Sequence, residues 1–212
     1  MEKCNWKHSV TLKQRMVLCL AAFFAAFALQ LALNGYQARA VQQVQDDQMG
    51  NFNAISRFQG GVESSISILE AYRWENGETE EMLEKLQAAC STSNAWLWRI
   101  RSNMDGLQNV SDEQWVLYGA VETTYGSYNT LLEELESYLS SGQEAKASQL
   151  YYNKVSVCGG YLSQYTMQLL KASILDAQTT YTEISELGER IALMQIVVVA
   201  LCVALGCASG LM

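Results

Sequence analysis

Proline is missing from all 212 residues, against a typical share of about 5%. Its ring clashes with helical backbone and removes a donor, so its absence leaves long unbroken helices as the natural reading. Histidine occurs once, at His8 beside Lys7. With no adjacent acid and no helical dimerisation context, His8 does not form a phosphoacceptor pattern. The six cysteines contain no CxxC and no Cys/His cluster, so no zinc-type site is indicated. No glycine-rich phosphate loop is present. No catalytic residue, metal ligand or cofactor is therefore expected, and this chain is not read as an enzyme. Positive charge is scarce: 14 Lys+Arg stand against 22 Asp+Glu, a net −8. Phosphate contact needs a basic face, so nucleic acid is not an expected partner.

Charge is also missing locally. Met16–Leu33 and Ile191–Met212, runs of 18 and 22 residues, carry none. Each is about long enough to cross a hydrocarbon core of ~30 Å. Residues 1–15 hold Lys3, Lys7, Lys13 and Arg15 against Glu2 alone, while residues 34–190 carry −11. Basic residues beside the first run favour a cytoplasmic N-terminus. The expectation is an all-α protein with two transmembrane helices flanking an extracytoplasmic up-down-up-down four-helix bundle. Residues 1–15 are a cytoplasmic lead, 16–33 and 191–212 the spans, and 34–190 the bundle, placed outside a bacterial inner membrane. The competing reading of 16–33 is a signal peptide cut near Ala38-Arg39-Ala40, but its apolar run exceeds the usual ~7–15 residues.

What is present is helical periodicity. Asn76-Gly77, Asp105-Gly106 and Ser140-Ser141-Gly142 punctuate the middle segment with turn residues. Ser111 followed by Gln114 reads as a capping box. The four segments are about 37–74, 79–105, 111–140 and 143–190. Their apolar residues alternate by three and four, and on the first segment Phe52, Ile55, Gln59, Val62, Ile66 and Leu69 fit the same rule. On the third segment Tyr118, Val121, Tyr125, Tyr128, Leu132, Leu135 and Leu139 do so. On the fourth the run is Tyr151, Val155, Cys158, Leu162, Tyr165, Leu169 and Ala172. Such seams mark bundle packing, and short loops give antiparallel neighbours. The fourth seam is expected to shift at Leu169–Leu170 and continue through Ile174, Ala177 and Tyr181.

Counting from the turns places Gln59, Cys90, Ser93, Tyr125 and Cys158 in one layer, ~20 Å from the tip. Gly60-Gly61, Gly126 and Gly159-Gly160 fall at the same level. A layer of this composition is polar where leucine packs better. It reads as close helix approach with internal hydrogen bonding, as a small-ligand pocket, or as a Cys90–Cys158 disulfide, which needs Cα atoms within about 7 Å. Trp96, Arg99 and Arg101 form a second candidate, a contact for a carboxylate ligand or a partner subunit, or else an ordinary amphipathic face. Gly206 and Gly210 make a small-xxx-small face suited to packing within the membrane. Expected partners are the lipid bilayer, a second copy in a homodimer, and a small molecule or protein as stimulus.

A basic lead, an apolar run, four helices and a second apolar run together resemble the input half of bacterial transmembrane receptors, chiefly sensor histidine kinases. The stretch from Leu150-Tyr151-Tyr152-Asn153 through Gly160-Tyr161-Leu162 to Leu169-Leu170 and Tyr181 is similar to the last sensor helix of such kinases. The resemblance implies a conformational signal, carried inward along the fourth helix to a kinase portion beyond Met212. The alternatives are the input half of a methyl-accepting chemotaxis receptor and a self-contained adhesion or scaffold bundle.

Overall fold

The computed structural model describes residues 12–72, 79–107 and 110–211. Residues 1–11 of the basic lead, with His8, and the Asn76-Gly77 turn lie outside the described residues. Every element is helical: α1 (Leu12–Ala71), α2 (Thr79–Gly106), α3 (Asp112–Ser140), α4 (Glu144–Leu150), a π-helical turn (Tyr151–Val155) and α5 (Ser156–Leu211). The last three follow one another without a break, so four helical rods result.

Local signals account for the ends. Ser111 caps α3: its Oγ accepts from the Gln114 backbone N–H at 3.3 Å. Asp112 and Glu113 follow in the first turn, where the helix dipole favours negative charge. At the other end Gly142 takes φ +71°, a left-handed conformation that suits glycine. The N–H of Gln143 then donates to the Tyr138 carbonyl at 2.8 Å. Side chains add to the turn: the Ser141 hydroxyl lies 2.8 Å from the Ser137 carbonyl, and Gln143 Nε2 donates to Ser141 Oγ at 2.8 Å.

The chain forms two compact units, residues 44–180 and the remainder (1–43 with 181–212). The first unit holds the core. On α3 every seam residue from Tyr118 to Leu139 is buried. α3 packs against α2, α4 and the π turn. Within that turn and just before it, Leu150 and Tyr151 are both buried. On α1 the buried face is wider than the expected seam, taking in Ala54, Phe58 and Ser65 beside Ile55, Val62 and Leu69. A globular helix face of more than about 100° does this, whereas a strict seam does not. On α5 the expected shift is not where the periodicity put it. Leu169, Ser173 and Ala177 are buried in sequence, and Ile174 and Tyr181 are exposed. Ser173 wins the core position because it meets Asn51 of α1.

In the second unit α1 and α5 meet through side chains. Gln195 Nε2 donates to Asn34 Oδ1 at 3.3 Å. Gly188 faces Gln37, whose amide nitrogen fills the space a Cβ would need.

Among the described residues no helix is long and apolar enough to cross a membrane. This overturns the two expected transmembrane helices, and with them the expected multi-pass placement in a bacterial inner membrane. The charge-free runs are the ends of helices of 60 and 56 residues, not separate apolar rods. Side chains at 16, 18, 19 and 22, and at 202 and 205–212, lie outside the described ones. Gly206 and Gly210 fall in the part of α5 whose packing is outside the described residues.

Ser111 carries a second bond: its backbone N–H donates to Asp176 Oδ2 on α5 at 3.1 Å. Ser111→Ala keeps that bond and loses only the cap. A loss of about 1 kcal/mol is expected, measured by urea unfolding followed by circular dichroism.

Candidate functional site

Two polar levels cross the core of the 44–180 unit. The upper one contains most of the predicted layer. Tyr125 of α3 donates its hydroxyl to the Cys90 carbonyl of α2 at 2.9 Å. Its ring packs edge-on against Phe58 of α1, with centroids 5.2 Å apart. Ser93 is buried on α2 and donates back to the Ala89 carbonyl at 3.0 Å. Gly61 of α1 lies directly against it: a Cβ there would collide with Ser93 Oγ. Cys158 lies on the far side, its thiol 3.7 Å from the Thr124 carbonyl. Cys90 and Cys158 are both free thiols. Gln59 is not in the layer. It turns to its own helix and donates to Glu63 Oε1 at 2.8 Å.

Sequence reasoning missed Ser65 and Tyr128 at this level. Ser65 donates to the Val62 carbonyl at 2.7 Å and shares a 2.9 Å hydrogen bond with the Tyr128 hydroxyl. Tyr128 was visible as a seam residue, but its bonding partner sits one position off the expected α1 seam. Gly159 of α5 makes room here: a Cβ would meet Ile66 at 3.1 Å and the Tyr128 ring at 3.3 Å.

Burial raises the pKa values of this group, because the charged forms lose water. Burial pushes the Tyr125 phenol up to about 12, against hydrogen bonds from Asn129 and Ser93 that pull it down. The Cys90 thiol is pushed up to about 11 by burial and then by the charge of Glu136. Tyr128 is raised as well, chiefly by burial. Cys158 moves the same way for the same reason. These thiols stay protonated near neutrality, which is the inert state rather than the nucleophilic one.

The lower level was not foreseen at all. Gln48 and Asn51 of α1, Gln114 of α3 and Ser173 of α5 are buried. Asn51 Nδ2 reaches Ser173 Oγ at 3.5 Å. Gln48 Oε1, Asn51 Oδ1 and Gln114 Oε1 are buried and accept no hydrogen bond among the described residues. Gln114 illustrates why the level was hidden. Its backbone serves the cap at Ser111, as the capping box requires, but its side chain enters the core instead of reaching back. The signal available in the sequence was the spacing Gln48, Asn51, Ile55, which continues the α1 seam by three and four.

The tryptophan–arginine candidate is dispersed. Trp96 packs half-buried against the core, whereas Trp98, Arg99 and Arg101 are exposed. Arg101 Nη1 lies 3.6 Å from Glu122 Oε1, and Tyr118 donates to the same oxygen at 3.2 Å. That exposed pair is worth little in water. Burial, then Glu122, pushes the Tyr118 phenol up to about 12. Among the described residues no group of His, Cys, Asp and Glu is arranged to hold a metal ion.

Two outcomes follow from this geometry. Gly61→Ala forces the Ser93 hydroxyl aside and is expected to cost about 1–3 kcal/mol. Ser93→Ala in the same chain should recover most of that loss, because its Cβ stands at 3.4 Å, an ordinary contact. Denaturant midpoints of the two single variants and the double variant measure the coupling. The second outcome concerns alkali. Tyr118 and Tyr125 have folded-state values raised from 10.0 to about 12. Their contribution is complete below pH ~10, the unfolded value, and is lost as pH rises towards ~12. Urea midpoints should fall across that window, and fall less in Tyr125→Phe; a flat profile would contradict the burial of these phenols.

Comparison with protein-family models, with curated proteins and with solved structures returns no match to this chain.

Proposed function

We propose that residues 44–180 form the sensing bundle of a signalling receptor of the sensor histidine kinase type, which reports a stimulus by exchanging between two helix packings. The observation that carries this reading is the lower polar level, with three buried amide oxygens that accept no hydrogen bond among the described residues. An acceptor in that condition costs roughly 1–3 kcal/mol. A scaffold that needs one rigid packing has no use for it, and leucine at the same places would pack better.

Polar groups at core positions of helical bundles set register and narrow the gap between alternative packings. A gap of a few kcal/mol leaves the minor packing ~0.1–10% populated. A stimulus then shifts the balance by its differential affinity for the two packings, and by no more than that. The reading is confined to the bundle and includes no membrane crossing.

Relaxation-dispersion NMR on the whole chain tests it. Microsecond-to-millisecond exchange is expected at the amides of Asn51, Gln114 and Ser173. Asn51→Leu should quench that exchange and stabilise the bundle by about 1–4 kcal/mol, as apolar replacement of buried polar groups often does. A wild-type bundle with no dispersion at this level would sink the proposal.

A further inference from the structure

We infer that the π turn is a register device: it stores one surplus residue, and passing that residue up into the turn at Gly142 rotates α4 by roughly 100° and moves its core contacts by one position. The Ser156 N–H donates to the Tyr151 carbonyl, five residues back, where an α-helix spans four. The buried positions show what the extra residue does. Ala147, Tyr151, Val155 and Gly159 recur by four, three times in succession. Twelve residues of plain α-helix overrun three turns by about a third of a turn. A plain helix therefore cannot keep Ala147 and Leu150 on the core face that Val155 and Leu162 occupy, and the π turn absorbs the difference.

The surplus can leave in either direction, and the residues at stake differ. Passed down into α5, it brings Lys154 to the place of Val155 and Cys158 to the place of Gly159. An ammonium then enters the core, and a Cβ arrives where Ile66 stands 3.1 Å away and Tyr128 3.3 Å. Passed up to Gly142, it moves each residue of α4 to the place of the one before it. Tyr152, exposed in the observed register, takes the place of the buried Tyr151. Tyr151 takes the place of Leu150, and Ser148 that of Ala147. Each newcomer resembles the residue it replaces: tyrosine for tyrosine, an aromatic for leucine, serine for alanine. The paired tyrosines thus keep the second register close to the first in energy, and helix register shifts run in microseconds to milliseconds.

Position 147 reports the exchange. In the shifted register it moves to the place of Lys146, which is exposed. The full chain carrying Ala147→Cys is alkylated with N-ethylmaleimide and followed peptide by peptide by mass spectrometry, with Cys90 of α2 as the reference. Labelling at 147 is expected. Adding Tyr152→Lys should slow it by about tenfold or more, because only the shifted register buries that ammonium. Deleting the exposed Asn153 removes the surplus and leaves the observed faces in phase. The deletion should slow labelling equally, with the helical circular dichroism retained and no fall in the urea midpoint.

Fraying of α4 predicts the opposite, since Tyr152→Lys removes the edge-on contact between the Tyr151 and Tyr152 rings and would speed labelling. Unchanged or faster labelling in Tyr152→Lys overturns the inference, as does a parent chain that is not labelled at 147. A deletion variant that loses its helical signal or its stability shows that the turn holds no surplus residue, and overturns it too. The inference stands without the sensing proposal. Labelling at 147 and exchange at Asn51 are separate readouts, so either can fail alone.

Discussion

Close approach of α1 to its neighbours governs the core. At Gly61 the backbone of α1 comes near enough to α2 that a single added carbon would meet Ser93. At Gly159 the backbone of α5 comes equally near Ile66 and Tyr128. Wide side chains cannot occupy such contacts, so the bulk is displaced to the adjacent positions. Phe58, Tyr125 and Tyr128 fill them, and all three are buried. A buried tyrosine needs a partner for its hydroxyl. The Cys90 carbonyl and Ser65 supply it. Glycine placement, aromatic packing and the hydrogen-bonded level are thus one arrangement, and each part is costly to keep without the others.

The two polar levels differ in kind. In the upper one each tyrosine hydroxyl has a protein partner, so the level gives the bundle a defined register at little net cost. In the lower one amide oxygens remain unused, which lowers stability locally and leaves room for a second arrangement. The α2–α3 side shows a third behaviour. Leucines form a floor but carboxylates replace apolar cover at the rim, and a groove persists there instead of a closed seam. Stability is therefore uneven through the bundle, and lowest where packing is least satisfied.

Much of the architecture was legible in the residues themselves. The α3 seam was read correctly from Tyr118 to Leu139 because its apolar residues recur by three and four without interruption. The cap at Ser111 and the turn at Gly142 were legible because each follows from local backbone chemistry. The wider buried face of α1 was not, since two adjoining stripes compete and periodicity ranks them equally. Gln59 was misplaced for a related reason: its position lies near the core, but Glu63 one turn away offers it a shorter path to a partner. The two charge-free runs were read by composition alone. The runs belong to longer rods with charged and amide-bearing continuations, and among the described residues no helix is long and apolar enough to cross a membrane.

Residue order by itself determined that this chain is helical, where α2 and α3 begin and end, where α4 begins, and which residues form the α3 face; the π-helical turn at Tyr151–Val155 was not foreseen. Those properties depend on neighbours within a few positions: the absence of proline, the caps, the turn glycine and the spacing of apolar side chains. Tertiary structure alone decided that Asn51 meets Ser173, that Ser65 meets Tyr128, that the Cys158 thiol meets the Thr124 carbonyl, and that Tyr125 meets the Cys90 carbonyl. These are pairings across 122, 63, 34 or 35 residues of sequence. No local rule ranks them, because each is selected by the distance at which two helices can pack, and that distance is set by residues belonging to neither partner.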